Sequence, residues 1–267
     1  MAGPLFFMSD PFASSRRKIA RAKKHLAELE RETGAFFARP DMYQPFVEAH
    51  PEKAGWTILK VRFLEELPQE FEEIVGDVLG NLRSALDHAV YGIALAVAQS
   101  SNSPKPKIDT ACFPFAKDTA HFENALKGRC ASIPAELHPI FRESKPYGGG
   151  NEALWALNVI RGTDEHAILV PAATAAFIGG MEIKGIGGWG MPYRPILDSS
   201  KNEMEICMLA PESKFHGKLQ LAAYIAFGEV GSVAGKNAGD VLDLFVKLVT
   251  TIVDRLEGES RRLGIVK

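Results

Sequence analysis

The chain has 267 residues, 46% of them hydrophobic and 24% charged, with a formal net charge of -2. That balance is ordinary for a globular protein that buries a core, excludes disordered and fibrous classes, and gives no general attraction to polyanions. No apolar run approaches the ~18 residues that span a bilayer and "PLFFM" is too short for a signal-peptide core, so no membrane association and a cytoplasmic location are expected.

Residues 13–38 predict a long amphipathic helix, because Ile19, Ala22, Leu26, Leu29, Thr33 and Phe36 recur at steps of three and four. Ser14 or Ser15 offers a cap. Its opening, "RRKIARAKKH", sets Arg16, Arg17, Lys18, Arg21, Lys23 and Lys24 at the end where the helix dipole favours anions. A surface position tolerates this at ~0.3–1 kcal/mol per charge at most, and the row is a candidate for phosphate contact through Arg17 and Lys24. After the turn-rich "RPDMYQP", the segment "WTILKVRF" alternates with the two-residue period of a strand. A second long helix is expected from Pro68, a favoured first-turn residue, to about Val97. "TACFPF" reads as a short buried strand or extended segment, with short helices at 118–127 and 134–142. "PYGGGN" breaks the chain, and a helix at 152–161 stops at Gly162.

From there "HAILVPA", "GMEIKGI", "EMEICMLA" and "GKLQLAAYIAFGEV" read as four strands of an antiparallel meander. The Gly-rich loop at 185–190 precedes no helix and carries no phosphate-binding pattern. A final helix at 238–262 presents Leu242, Phe245, Leu248, Val249, Ile252 and Leu256 to one side. The expected fold is a single α+β domain over 1–267, built on a long-helix core: 1–162 mainly helical, 163–232 the β-meander, and 233–267 a closing C-terminal helix packed on the first two.

Chemistry concentrates in "NLRSALDHAVYGIALA", residues 81–96. Leu82, Ala85, Leu86, Ala89, Val90 and Ile93 form an apolar arc of roughly 140°. Opposite lie Asp77, Asn81, Ser84, His88 and Tyr91, flanked by Arg83 and Asp87. Short polar groups with His and Tyr predict a second, partly buried polar surface, and Gly76 and Gly80 add a groove that a helix or ligand can approach. A core histidine with satisfied hydrogen bonds is the bland alternative. "RGTDEH" supplies Asp164, Glu165 and His166 at a helix-to-strand junction, so the expected cleft lies where the second helix meets 161–166. There Asp87, His88, Asp164 and His166 offer oxygen and imidazole ligands for a divalent metal, or a carboxylate and imidazole pair for proton transfer. The three cysteines, Cys112, Cys130 and Cys207, form no C-x-x-C pair and indicate neither a disulfide framework nor a zinc site.

"KIARAKKHLAELERE", "NLRSALDHAVYGIA", "CFPF", "IFRESKPYGGG" and "LWALNVIRGTDEHAIL" together resemble a family of uncharacterised bacterial proteins with an LRSALDH helix, an FP segment, a QPY turn and an N-x-x-DKHR element, over roughly residues 15–170. Glu165 and Ala167 depart from that pattern. The second helix also resembles that of HEPN ribonucleases, whose Arg-x(4–6)-His motif cleaves RNA without metal, usually across a dimer. Arg83 and His88 have that spacing, as do Arg161 and His166, and Ser84 stands where those nucleases usually carry Asn, Asp or His. This resemblance implies an RNA-directed nuclease or RNA-binding protein without cofactor, forming a homodimer. In it Arg83, Asp87, His88 and His166 are the catalytic candidates, and Asn81, Ser84, Tyr91, Arg17 and Lys24 contact substrate. A metal-dependent hydrolase and a non-enzymatic interaction module stand as alternatives.

Overall fold

The computed structural model describes residues 10–39, 42–100, 108–160, 169–178, 181–182, 189–190, 196–198, 201–215, 218–228 and 231–266. Its helices are α1 (Ala13–Phe37), α2 (Gln69–Ser100), α3 (Thr119–Gly128), α4 (His138–Ser144), α5 (Glu152–Ile160) and α6 (Ala238–Arg262). A 3-10 turn at Ala135–Leu137 leads into α4. Its strands are β1 (Tyr43–Ala49), β2 (Thr57–Phe63), β3 (Leu169–Ile178), β4 (Met181–Glu182), β5 (Trp189–Gly190), β6 (Ile196–Asp198), β7 (Glu203–Leu209), β8 (Lys214–Phe215) and β9 (Lys218–Phe227). The class is α+β, with the long helices forming the core and α6 closing it.

The main core lies between α1, α2 and α6. Val75, Val78, Leu79, Leu82, Leu86 and Ile93 of α2 meet Ile19, Leu26 and Leu29 of α1 and Phe245, Val249 and Leu256 of α6. Each such side chain, fully buried, stabilises the fold by ~1.5–3 kcal/mol, which is what holds three long helices side by side. Ser14 and Ser15 do not cap α1. Phe12 is the residue before the helix and its N–H is taken by Asp10 Oδ1 at 2.9 Å. Both serines lie within the first turn and dock it on α2: Ser15 donates to the Ala85 carbonyl and Ser14 meets His88. Gly92 allows this approach, since a Cβ there would stand 2.4 Å from the Pro11 carbonyl oxygen.

The described strands pair antiparallel, as expected; β1–β2 and β6–β7 are neighbours in the chain, but β2–β7, β3–β9 and β4–β8 reach across it rather than forming a meander. The larger sheet has the order β1, β2, β7, β5, with β6 also on β7, while β3 pairs with β9 along its whole length. The turn-rich stretch after α1 therefore contains an unexpected strand, β1. It is an edge strand, largely exposed, and Pro45 sits in it because an edge position does not need every backbone N–H in the ladder. One face of the larger sheet buries Leu59, Val61, Phe63, Met204 and Ile206 in a second cluster. Register is pinned by opposite charges: Arg62 meets Glu203 at 2.6 Å, and Lys60 meets Glu48 at 2.5 Å and Glu205 at 3.6 Å. No helix among the described residues is long and apolar enough to cross a membrane.

Candidate functional site

The polar stripe of α2 is a half-open face, partly buried as its short polar residues predict. Gly76, Asp77 and Tyr91 are exposed, Gly80 and Ser84 are half-buried, and a Cβ placed on Gly76 or Gly80 would meet nothing within 4 Å. Arg83 and His88 stand five residues apart, hence roughly 140° apart at about 100° per residue, and so border this face on opposite sides. Their surroundings differ accordingly.

On one border His88 Nδ1 lies 2.7 Å from Ser14 Oγ. When Nδ1–H donates to the Ser14 hydroxyl oxygen, the ring keeps its basic lone pair on Nε2, which has no protein partner among the described residues. Here the early turns of α1 run alongside α2. Arg16 is neutralised by Asp10 and Glu257, but Arg17, Arg21 and Lys24 are exposed, and no carboxylate among the described residues pairs with them. Further along, Arg21 Nε donates to His25 Nε2 at 3.3 Å, and the same nitrogen stands 3.7 Å from Asp77 Oδ2.

On the other border Arg83 is locked. Its Nε faces Asp87 Oδ2 at 3.4 Å, its terminal nitrogen donates to Asn158 Oδ1 on α5, and its guanidinium lies over the Phe115 ring at 4.1 Å. Asp87 Oδ1 in turn accepts the Phe113 N–H at 2.9 Å. Arg83 and Asp87 thus clamp the extended segment 111–116 and α5 onto α2, with the negative charge of Asp87 offset by its neighbour. Asn81, a candidate substrate contact, is buried: its amide donates to the Asp77 carbonyl at 2.7 Å, a bond within its own helix that removes it from the open face. Asp87 and His88 turn to different neighbours, and no group of three or more His, Cys, Asp or Glu suited to a metal occurs among the described residues. Arg161, Asp164, Glu165 and His166 lie outside the described residues, as does most of the loop at 185–190.

Beyond Asn158 the surface opens into a cleft of about 520 Å³ between α3 and α5, lined by Lys117, His121, Asn124, Arg129, Trp155 and Asn158 among others. Sequence reasoning missed it because its residues come from separate segments. Asp118 caps α3 by accepting the His121 N–H at 2.9 Å, and His121 Nδ1 lies 2.7 Å from the same carboxylate. The backbone N–H, and then the ring, hold the Asp118 carboxyl below its ordinary range. Arg129 donates one N–H to the Phe115 carbonyl at 3.0 Å. Gly148 lets the loop before α5 close on this wall, since a Cβ there would lie 2.8 Å from the Lys117 carbonyl oxygen and 3.4 Å from Trp155 Nε1.

Burial controls the thiols. Cys130 is pushed up to about 12 and Cys207 to about 11, and Cys112 is raised by burial and by the nearby Asp87 charge. None is an activated nucleophile.

No family model, no curated protein and no solved structure matches this chain. The reading of the site therefore rests on its geometry.

Proposed function

We propose that the chain is an RNA-directed protein, a metal-independent ribonuclease of the HEPN-like kind, acting on the open face of α2. The observation that carries this reading is the setting of His88. Its Nδ1 is held by Ser14, its Nε2 is left for a ligand, and the exposed cations Arg17, Arg21 and Lys24, which no carboxylate among the described residues pairs with, lie along the same border. Phosphates of a strand lying on α1 would be held by Arg17 and Lys24, and Ser84 and Tyr91 lie along its path. His88 Nε2, with Nδ1–H held by Ser14, accepts the proton of a ribose hydroxyl. The charge developing on phosphate is met by Arg17 and Lys24 on this border, since Arg83 is held on the opposite one by Asp87, Asn158 and Phe115. Of the acids on this face, Asp87 is offset by Arg83, while Asp77 stays exposed.

The test is cleavage of labelled single-stranded and structured RNA by wild type and by folded His88→Ala, with and without EDTA. We expect EDTA-insensitive cleavage that falls ~10²–10⁴-fold in His88→Ala, the usual contribution of a general base. The double variant Arg17→Gln, Lys24→Gln should lower affinity and flatten the salt dependence by about two phosphate contacts. RNA left intact by wild type, or cleaved equally by His88→Ala, would overturn the proposal.

A further inference from the structure

The cleft between α3 and α5 plays no part in that reading, yet its chemistry is the more selective. Two other cavities of comparable size have acidic linings. One, of about 390 Å³, carries Glu30, Asp240 and Asp243 without a cation, and the other, of about 470 Å³, sets Glu28, Glu32 and Glu70 against Arg39 alone. The α3–α5 cleft reverses this balance, with Lys117 and Arg129 and no carboxylate among its lining residues. Asp118, the nearby acid, is occupied by His121.

Its donors also have free hydrogens. Asn158 Oδ1 must face the Arg83 guanidinium, because only the oxygen accepts, so the Asn158 NH₂ group remains to donate. Arg129 spends one N–H on the Phe115 carbonyl and keeps the rest of its fork. Neither the Lys117 ammonium nor the Asn124 amide has a hydrogen-bond or ion-pair partner among the described residues, and both residues are exposed. Such donors with no acceptor suit an anion. Trp155 on the same wall adds a flat apolar surface, and the volume lies within the roughly 300–1,000 Å³ of small-molecule sites.

We infer that this cleft binds a phosphorylated nucleotide, its phosphate held by Arg129 and Lys117 with the Asn158 amide, and its base lying against Trp155. Two sources share that chemistry, a free nucleoside monophosphate and the phosphorylated end of an RNA strand. Base stacking on an aromatic side chain contributes ~1–3 kcal/mol whatever the base, so discrimination here comes from the phosphate.

The experiment titrates the full chain with AMP and with UMP, following tryptophan emission and heat, with Trp155→Phe assigning the optical signal. We expect both nucleotides to bind, adenosine to bind at least tenfold more weakly than AMP, and Arg129→Gln to weaken AMP tenfold or more. Lys117 is exposed and makes no contact among the described residues that folding needs, so Lys117→Gln carries the test if Arg129→Gln fails to fold; a loss of threefold or more is expected. No binding at millimolar nucleotide, equal binding of adenosine and AMP, or unchanged AMP affinity in folded variants would overturn the inference. Competition by a 5′-phosphorylated oligonucleotide, but not by its dephosphorylated form, assigns the site to a strand end, and lack of competition by either assigns it to the free nucleotide. No residue of the cleft belongs to the α2 reading, so failure of nucleotide binding and failure of His88-dependent cleavage are scored separately.

Discussion

Gly92→Ala is the sharpest test of how α1 is seated on α2. In a helix interior the change from Gly to Ala ordinarily stabilises by roughly 0.5–1 kcal/mol, because Ala loses less backbone freedom on folding. At Gly76, where an added Cβ meets nothing within 4 Å, that gain should appear in full. At Gly92 the same methyl would stand 2.4 Å from the Pro11 carbonyl oxygen, 3.1 Å from its carbon and 3.3 Å from Pro11 Cβ. The first two of those atoms are backbone, so the turn before α1 must move away as a unit, at the ~1–3 kcal/mol typical of overpacking. Helix propensity is common to both variants and cancels in the comparison. Gly92→Ala should therefore be less stable than Gly76→Ala by about 1–3 kcal/mol, a separation of roughly 2–12 °C in melting temperature for a domain of this size. Parallel thermal and urea unfolding reads it. Two variants of equal stability would refute the packing described for Pro11, and with it the placement of Ser14 against His88.

Other outcomes follow from the charges and thiols. Arg83→Met should cost ~1–3 kcal/mol in urea unfolding, because Asp87 is left with the Phe113 N–H as its remaining described partner, and adding Asp87→Asn should recover part of the loss; a neutral Arg83→Met contradicts the clamp. Burial raises Cys130 to about 12 and Cys207 to about 11, whereas unfolded thiols ionise near ~8.5. Their contribution to stability is thus full below ~8.5 and is lost as pH rises toward those values, at ~1.4 kcal/mol per pH unit for each thiol. Comparing wild type with Cys130→Ala across this range should show that difference in slope, and identical slopes would count against it. Alkylation of the native protein at pH 8 should modify half-buried Cys112 first and the other two only on unfolding, as peptide mass mapping would show.

Long periodic segments made the helical frame legible in advance, and α1, α2 and α6 lie where steps of three and four placed them. β1 escaped because its signal is that of an edge. Pro45 and the adjoining turn residues mask a strand whose pairing depends on β2 rather than on its own alternation. The serines of α1 were misread for a related reason: a hydroxyl in the first turn suits a cap equally well, and only the position of α2 decides that it docks a second helix. At the site, sequence spacing singled out Arg83, Asp87 and His88 but not their division between two borders of one helix. The α3–α5 cleft left a fainter trace, Trp155 and Asn158 three residues apart on one face of α5. Its Lys117 and Arg129 arrive from outside that helix, and no spacing rule joins them.

The pairing of β2 with β7 sets an order of events during synthesis. Leu59 finds Cys207, and Val61 finds Met204, only after the chain from α2 to β7 has been made. At the usual ~5–20 residues per second, that interval is on the order of ten to thirty seconds. Throughout it the β1–β2 hairpin offers an unpaired edge and the apolar row Leu59, Val61 and Phe63 to its surroundings, while the contacts between α1 and α2 are already available. A chain released before β7 keeps that edge, so truncation upstream of Glu203 converts a paired interior strand into a template for self-association.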